Sequence, residues 1–183
     1  DSTGVRGIKL AANDNVVSMA VIHHVDVTSE ERAAYFRMRR AITGDETGEN
    51  TETSSTLSQE RYAELSAIEE WILAITASGF GKRSSAHEYR VSGRGGQGIT
   101  AANLTRREDK IVASFTVEEE DQIMLVTSTG QSIRCPVQGI SRQGRSSSGV
   151  KVFNTAEEEK VVSVAWIAEQ NQEDDENEGE NEN

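Results

Sequence analysis

The sequence contains few cysteines and few aromatic residues. Its 183 residues include one Cys, one Pro, 4 Phe, 3 Tyr and 2 Trp. A single cysteine, Cys135, excludes an internal disulfide framework and fits a reducing compartment, so we expect a cytoplasmic protein. Because aromatic residues are scarce, any core must consist mainly of Val, Ile, Leu and Ala.

Long apolar segments are also lacking. No run approaches the roughly 20 consecutive apolar residues that a membrane-spanning helix needs. The N-terminus does not show the charged-then-apolar pattern of a signal peptide. We therefore expect no membrane partner.

Charge is distributed unevenly along the chain, although the net value is −12. Residues 169–183 carry eight acids and no base, and residues 23–70 carry eleven acids against five bases. Residues 80–155 reverse the balance, with eleven Lys and Arg against seven acids. A basic middle region therefore lies between two acidic ones, and the net charge does not argue against an anionic partner for that region.

The chain repeats itself. Ile72–Gly79 (ILAITASG) aligns with Ile123–Gly130 (IMLVTSTG) at an offset of 51 residues, and residues 3–19 match the second half of such a unit. The same offset pairs Arg83 with Arg134, Arg94 with Arg145 and Gly98 with Gly149. This gives two full units and one truncated unit. Because the chain begins inside the truncated unit and without Met, we expect it to be part of a longer protein.

Each unit of about 50 residues indicates short β-strands rather than helices. The apolar runs are short, rich in Val, Ile and Thr, and bounded by Gly, Ser, Asn and Asp. Ser78-Gly79 and Thr129-Gly130 are typical of hairpin turns. We predict an all-β fold, a partial ring of β-pinwheel or propeller-like blades with a helical hairpin insertion and a disordered acidic tail. The predicted segments are 1–22 (back half of a truncated blade), 23–70 (acidic helical insertion), 71–121 (full blade), 122–168 (final blade) and 169–183 (tail).

The helices of the insertion are predicted from capping signals. Thr28–Glu31 is typical of an N-cap followed by acids in the first turn. A second helix is expected to start at Ser58. Residues 43–56 contain no large apolar side chain and are expected to be mobile, and residues 170–183 contain only Gln, Asn, Asp, Glu and Gly, which predicts disorder.

Gly93-x-Gly95-x-x-Gly98 matches a dinucleotide-binding fingerprint, and a strand-like segment precedes it. The repeat argues against that function, because the aligned segment Gly144–Gly149 keeps only the outer two glycines. What persists between units is therefore a turn shape. A Walker A loop is excluded as well, because Gln97 stands where such a loop needs Lys or a spacer residue.

Nothing in the sequence supports catalysis or metal binding. The histidines, at 23, 24 and 87, have no metal-ligand spacing and are expected on the surface. Cys135 is expected to pack inertly in a strand that Pro136 ends. The acids of Glu118–Asp121 are expected to form a solvated loop.

Ten basic residues recur at equivalent places in successive units, next to turns. They are Arg6, Lys9, Lys82, Arg83, Arg90, Arg94, Arg134, Arg142, Arg145 and Lys151. In a ring of blades, equivalent positions share one rim, so we predict a basic stripe along it. Such a stripe suits a polyanion held through its phosphates, with strong salt dependence and little base readout. The alternative for any single residue is ordinary solvation of a surface charge.

Several of these segments, in this order, resemble the C-terminal domain of the DNA gyrase A subunit. The resemblance is carried by residues 72–83, Glu88–Val91 and Gly93–Ile99, and again by Val112–Phe115 followed by Asp121–Thr127. It covers nearly all of 3–22 and 71–167. The part from Phe80 to Arg83 together with Tyr89-Arg90 is the most diagnostic.

The resemblance implies a six-bladed β-pinwheel whose basic rim wraps double-stranded DNA with a positive supercoil. It implies a type IIA topoisomerase in which the gyrase A and B polypeptides form an A2B2 holoenzyme that introduces negative supercoils. ATP and Mg would bind elsewhere in that holoenzyme, so no cofactor and no catalytic tyrosine are expected in this chain. Gly93–Gly98 resembles a degenerate copy of the family's wrapping box, with Gln97 where Lys is expected. The acidic tail would modulate wrapping by competing for the rim.

Three alternatives remain open from the sequence. The C-terminal domain of the topoisomerase IV A subunit has a related but more degenerate set of blades. A propeller that binds proteins and not DNA would show binding that ignores salt. A nucleotide-dependent enzyme would bind dinucleotides through the glycine stretch.

Overall fold

The structure, a computed structural model, describes residues 2–44, 55–104 and 108–167. The predicted tail at 169–183 and most of the segment 43–56 lie outside these ranges. The helices are α1 (Ser29–Thr43) and α2 (Gln59–Ala67). The strands are β1 (Trp71–Thr76), β2 (Phe80–Ser85), β3 (Ile111–Val117), β4 (Gln122–Thr127), β5 (Ser132–Pro136), β6 (Val150–Lys151) and β7 (Val161–Ile167). Among the described residues, no helix is both long and apolar enough to cross a membrane.

The strands form two antiparallel sheets with the same arrangement. In the first sheet β1 lies between β2 and β3, and in the second β4 lies between β5 and β7. Both central strands shift register at their last residue, Thr76 in β1 and Thr127 in β4, which are 51 positions apart. The two hairpin turns also match, because Gly79 and Gly130 have φ values of 79° and 84°. The repeat predicted from the sequence is therefore confirmed as a structural repeat, down to the irregularity in its sheet.

The second unit donates a strand to the first sheet, which the sequence did not reveal. Strand β6 belongs to the second unit in sequence but extends the first sheet, where Val150 pairs with Gly81 and Lys151 pairs with Phe80. The boundary predicted between residues 121 and 122 therefore does not coincide with the boundary between the sheets. The second unit completes the first one.

One hydrophobic core joins the sheets. Leu73 and Ile75 of β1 and Ile123 and Leu125 of β4 are each 0% exposed. The same cluster contains Val117, Val137, Ile140 and Val161. Burial of each such side chain contributes about 1.5–3 kcal/mol to stability. Because both sheets supply this cluster, neither can bury its apolar face without the other.

Both helices of the insertion begin where the capping signals predict. The Thr28 side chain accepts a hydrogen bond from the Glu31 amide (3.1 Å), and the Glu31 carboxylate accepts one from the Thr28 amide (3.0 Å). This is a capping box. The Ser58 hydroxyl likewise accepts a hydrogen bond from the Arg61 amide, at 3.1 Å.

The insertion contacts the first sheet through Arg39, which a buried ion pair within the insertion holds in place. Arg39 and Glu69 form an ion pair in which both side chains are buried. The Tyr35 hydroxyl donates a hydrogen bond to Glu69 (3.0 Å), and the Arg39 guanidinium lies 4.7 Å from the ring centroid of Trp71 in β1. A small apolar cluster around Tyr35 surrounds this contact and also contains Phe36 and Leu65. The insertion therefore packs directly against the blade.

Strand donation brings two glycines into backbone contact. Gly149, which precedes β6, has φ of 83°, a conformation that residues with a side chain rarely adopt. A Cβ at this position would lie 2.6 Å from the Gly81 carbonyl oxygen. The close approach of β6 to β2 therefore requires glycine at position 149.

We predict that Gly149→Ala lowers the free energy of unfolding more than Gly130→Ala does. Gly130 has nearly the same φ, 84°, but no atom lies within 4 Å of the place that a Cβ would occupy there. Both variants incur backbone strain of about 1–2 kcal/mol, and only Gly149→Ala adds a steric clash of about 1–3 kcal/mol. Urea denaturation measures both. Equal losses in the two variants would show that the donated strand is not tightly packed.

Candidate nucleic-acid interface

The glycine stretch pairs with the N-terminal segment. The Gly95 amide donates a hydrogen bond to the Gly7 carbonyl (2.7 Å), and the Lys9 amide donates one to the Gly96 carbonyl (2.8 Å). Ile8 and Gly96 form a parallel bridge between the two segments. Residues 99–104 are not helical, so the strand–loop–helix context of a dinucleotide site is not present there. The stretch joins one repeat to the next.

Four basic residues lie on these paired segments or just before the glycine stretch, and we refer to them as the basic surface. They are Arg6, Lys9, Arg90 and Arg94, and all four are exposed. Within the described ranges none of them forms an ion pair or a side-chain hydrogen bond. Their charges therefore remain available to an anionic partner.

Arg145, in the second glycine loop, is half-buried and held in place. Its amide donates a hydrogen bond to Glu88 (2.7 Å), and its guanidinium donates one to the Thr100 carbonyl. Arg145 lines a cavity of about 400 Å³ with Arg90 and with Arg32 of α1. Arg32 was not among the predicted site residues, because no signal in the sequence indicates which face of α1 meets the blade.

Lys82 was predicted on the basic rim, but it is buried, with 1% of its surface exposed. Its ammonium donates hydrogen bonds to the carbonyls of Gly144 (2.8 Å), Arg145 and Ser147 (2.9 Å). Burial lowers the pKa of Lys82 to about 8, although the nearby Glu88 opposes the shift. The side chain holds the loop that carries Arg145 and cannot reach a phosphate.

Arg83, also predicted on the rim, is 4% exposed. Its guanidinium donates to the Ile140 carbonyl (2.7 Å) and to Glu119 (2.8 Å). Arg142 is half-buried, shares the same Glu119 carboxylate (2.5 Å) and lies 4.7 Å from the Trp71 ring centroid. Burial raises the pKa of Glu119, but the hydrogen bonds from both arginines outweigh this effect and lower it overall. These basic residues stabilise the junction between the sheets.

The last two predicted residues lie on strands and are exposed. Arg134 of β5 donates a hydrogen bond to the Gln122 side chain (2.6 Å). Lys151 of β6 donates to the Ser78 carbonyl (2.7 Å), and its ammonium lies 4.8 Å from the Phe80 ring centroid. Both retain exposed charge, but neither lies on the paired segments that carry the basic surface.

Two predictions about acidic and histidine residues were wrong. His87 was expected on the surface but is buried, and its Nε2 lies 3.0 Å from the Leu65 carbonyl oxygen. Asp121 was expected in a solvated loop but is buried, and it accepts a hydrogen bond from the Glu118 amide (2.7 Å). In each case a polar side chain satisfies backbone groups at a junction between elements. Cys135 packs against the main core, and burial raises the pKa of its thiol.

Two antiparallel sheets that repeat one arrangement, with a strand donated from one unit to the other, fit partial blades of a β-propeller type of architecture. The family model described as "DNA gyrase C-terminal domain, beta-propeller" matches residues 1–23, 70–118 and 121–165. The chain belongs to this family, the β-pinwheel C-terminal domain of the DNA gyrase A subunit, and the resemblance noted in the sequence is confirmed. The insertion lies between the first two matched segments.

Relatives from three organisms are similar over nearly the whole chain. The DNA gyrase A subunit of Granulibacter bethesdensis is 45% identical over 191 residues, which covers 96% of this chain and 20% of that relative. The corresponding protein from Rickettsia prowazekii is 40% identical (92% and 19% covered), and that from Haemophilus influenzae is 33% identical (94% and 18% covered). The chain thus spans about a fifth of the length of these curated relatives.

A solved structure supports the fold alone. The crystal structure of the C-terminal domain of DNA topoisomerase IV superposes with a TM-score of 0.50 at 24% identity. The match covers 55% of this chain and 30% of that structure. It supports a shared blade architecture and says nothing about which of the two activities the chain serves.

We predict that Lys82→Met lowers the free energy of unfolding by about 1–3 kcal/mol. The substitution removes the ammonium hydrogen bonds to three loop carbonyls, of which those of Gly144 and Ser147 each keep one backbone donor. This loss exceeds the relief of no longer burying an ammonium. Urea denaturation measures the change in the free energy of unfolding. The Ser147 amide is bonded to the Gly144 carbonyl, so faster hydrogen exchange of that amide would show that the destabilisation lies in the loop. Lys151→Met is the matched control, because the exposed Lys151 contacts a single carbonyl. Equal effects of the two substitutions would contradict the role of Lys82.

Proposed function

We propose that this chain binds and wraps double-stranded DNA as part of the C-terminal domain of a DNA gyrase A subunit. The basic surface holds the duplex through its phosphates, and Arg134, Arg145 and Lys151 extend the contact. Lys82, Arg83 and Arg142 support the fold from within instead. The wrapped segment is then presented to the rest of the enzyme.

The observation that carries the proposal is the set of exposed bases, the basic surface, that have no acidic partner among the described residues. Several other guanidinium groups of the described residues are paired with acids, as in Arg39–Glu69 and Arg83–Glu119. Unpaired exposed charge gains most from an external anion, and phosphate neutralisation releases counterions from DNA. Contacts of this kind position a duplex without reading its bases.

The rest of the proposed activity belongs to parts of the enzyme beyond this chain. A type IIA topoisomerase of A2B2 composition would use ATP and Mg on its B subunits and a catalytic tyrosine elsewhere on its A subunits. We propose that this chain is non-catalytic and contributes DNA geometry alone. The supercoils that the enzyme introduces would then take their sign from the path of DNA around the blades.

We predict that the double variant Arg6→Glu, Arg94→Glu binds duplex DNA about tenfold or more weakly at low salt. The slope of log K against log salt should fall by about 2, because two phosphate contacts are lost. Fluorescence anisotropy with two duplexes of unrelated sequence measures both quantities. The loss should be the same for both duplexes.

The matched control is Lys110→Glu, Lys160→Glu, which makes the same charge change. Both lysines are exposed, and Lys160 lies beside an acidic patch that includes Glu157 and Glu158. We expect this variant to change DNA affinity by less than the basic-surface variant. Equal losses of DNA affinity in the two variants would mean that net charge alone explains the effect. Binding that does not weaken as salt rises would favour a propeller that binds proteins.

We also propose that the acidic residues of 169–183, which lie outside the described ranges, compete with DNA for the basic surface. Their eight carboxylates exceed the four charges of that surface in number. We predict that deletion of 169–183 tightens DNA binding at low salt and has less effect at high salt, where screening weakens the competition. Anisotropy titrations at two salt concentrations test this. Unchanged affinity at low salt would refute the competition.

A further inference from the structure

The insertion and the two blades enclose a cavity that contains Arg90 and Arg145 of the proposed DNA contact and adds Arg32 of the insertion to them. This cavity, which we call the arginine cavity, has a volume of about 400 Å³ and is partly open to solvent. One wall is a face of α1 that includes Arg32 and Phe36, four positions apart. The opposite wall includes Glu88, Arg90, Ile99 and Arg145. Without the insertion there would be no cavity here.

The charges in the arginine cavity are out of balance. Among the described residues that line it are three guanidinium groups and one carboxylate, and arginine cannot lose its proton in a protein. Arg32 is half-buried, and its Nε is buried without a hydrogen-bond partner among the described residues. Within the described ranges, neither Arg32 nor Arg90 has a carboxylate partner. A partly buried charge without a counterion is costly, and a bound anion would remove that cost.

The carboxylate in the cavity is already engaged. Glu88 is 8% exposed and accepts a hydrogen bond from the Arg145 amide at 2.7 Å. The Arg145 guanidinium donates to the Thr100 carbonyl, which fixes its position in the wall. The cavity therefore has both oriented and uncommitted donors, and guanidinium forks match the oxygens of a phosphoryl group.

Apolar side chains complete the walls. Phe36 is 3% exposed and Ile99 is half-buried. These groups lower the local dielectric and strengthen the attraction between guanidinium and phosphoryl groups. We propose that the arginine cavity binds a phosphoryl group, with the insertion supplying Arg32. The phosphoryl group comes either from the backbone of duplex DNA, an assignment that rests on the proposed function, or from a free phosphorylated small molecule.

The first experiment titrates pyrophosphate into the chain, with isothermal calorimetry as the readout. We expect saturable binding that Arg32→Gln and Arg90→Gln each weaken about tenfold, the loss typical of one charge-assisted hydrogen bond. Circular dichroism would reveal whether Arg32→Gln disturbs α1. Arg90 is exposed, so Arg90→Gln keeps the test valid in that case. The matched control is Arg37→Gln, on the exposed face of the same helix, with an expected change below about twofold. No saturable binding, or an equal loss in the control, overturns the proposal.

The second experiment identifies the source of the phosphoryl group. Pyrophosphate is added to the chain–duplex complex at constant ionic strength. If it displaces the duplex from the chain, and Arg32→Gln weakens duplex binding, the phosphoryl group is that of DNA. If pyrophosphate binds while duplex affinity stays constant, the ligand is a free phosphorylated molecule. The double variant Arg6→Glu, Arg94→Glu separates this site from the proposed function. If that variant binds both pyrophosphate and the duplex as tightly as the unsubstituted chain does, the proposed function fails and the phosphoryl site stands.

Discussion

The donation of β6 from the second repeat to β2 of the first is the constraint on which the rest of the structure depends. It requires two backbones to touch, because a side chain on Gly149 would meet the Gly81 carbonyl at 2.6 Å. Backbone groups of a buried strand need partners, and β6 pairs with Phe80 and Gly81 at the edge of β2. Each repeat is therefore incomplete alone, and the two fold around one shared core.

Lys82 follows directly from that donation. It lies one residue after Gly81 in β2, and its ammonium donates hydrogen bonds to three carbonyls of the loop from Gly144 to Ser147. The loop then presents Arg145 toward the insertion. Lys82, whose charge would suit DNA, thus fixes the position of Arg145 instead. Arg83 acts in a similar way through Glu119, which it shares with Arg142.

Much of the fold could be predicted because it depends on local sequence. The 51-residue repeat, the hairpin turns at Gly79 and Gly130 and the helix starts are each determined by residues close together in the chain. Strand donation could not be predicted, because β6 has only two residues and its partner lies about seventy positions earlier. For the same reason the burial of Lys82 and the presence of Arg32 beside Arg145 were missed. Recurrence in the sequence identifies equivalent positions, but it does not say which of them face solvent.

The basic residues of this chain fall into two groups according to their partners. Those that hold the insertion and the sheets together are paired, as Arg39 is with Glu69 beside Trp71. Those of the basic surface form no ion pair among the described residues. A net charge of −12 conceals this division, because the acids that produce it lie largely in the tail and the insertion. An anionic partner responds to the local field, and in this chain the strand pairing of Gly95 and Gly96 sets that field by bringing Arg94 beside Arg6 and Lys9.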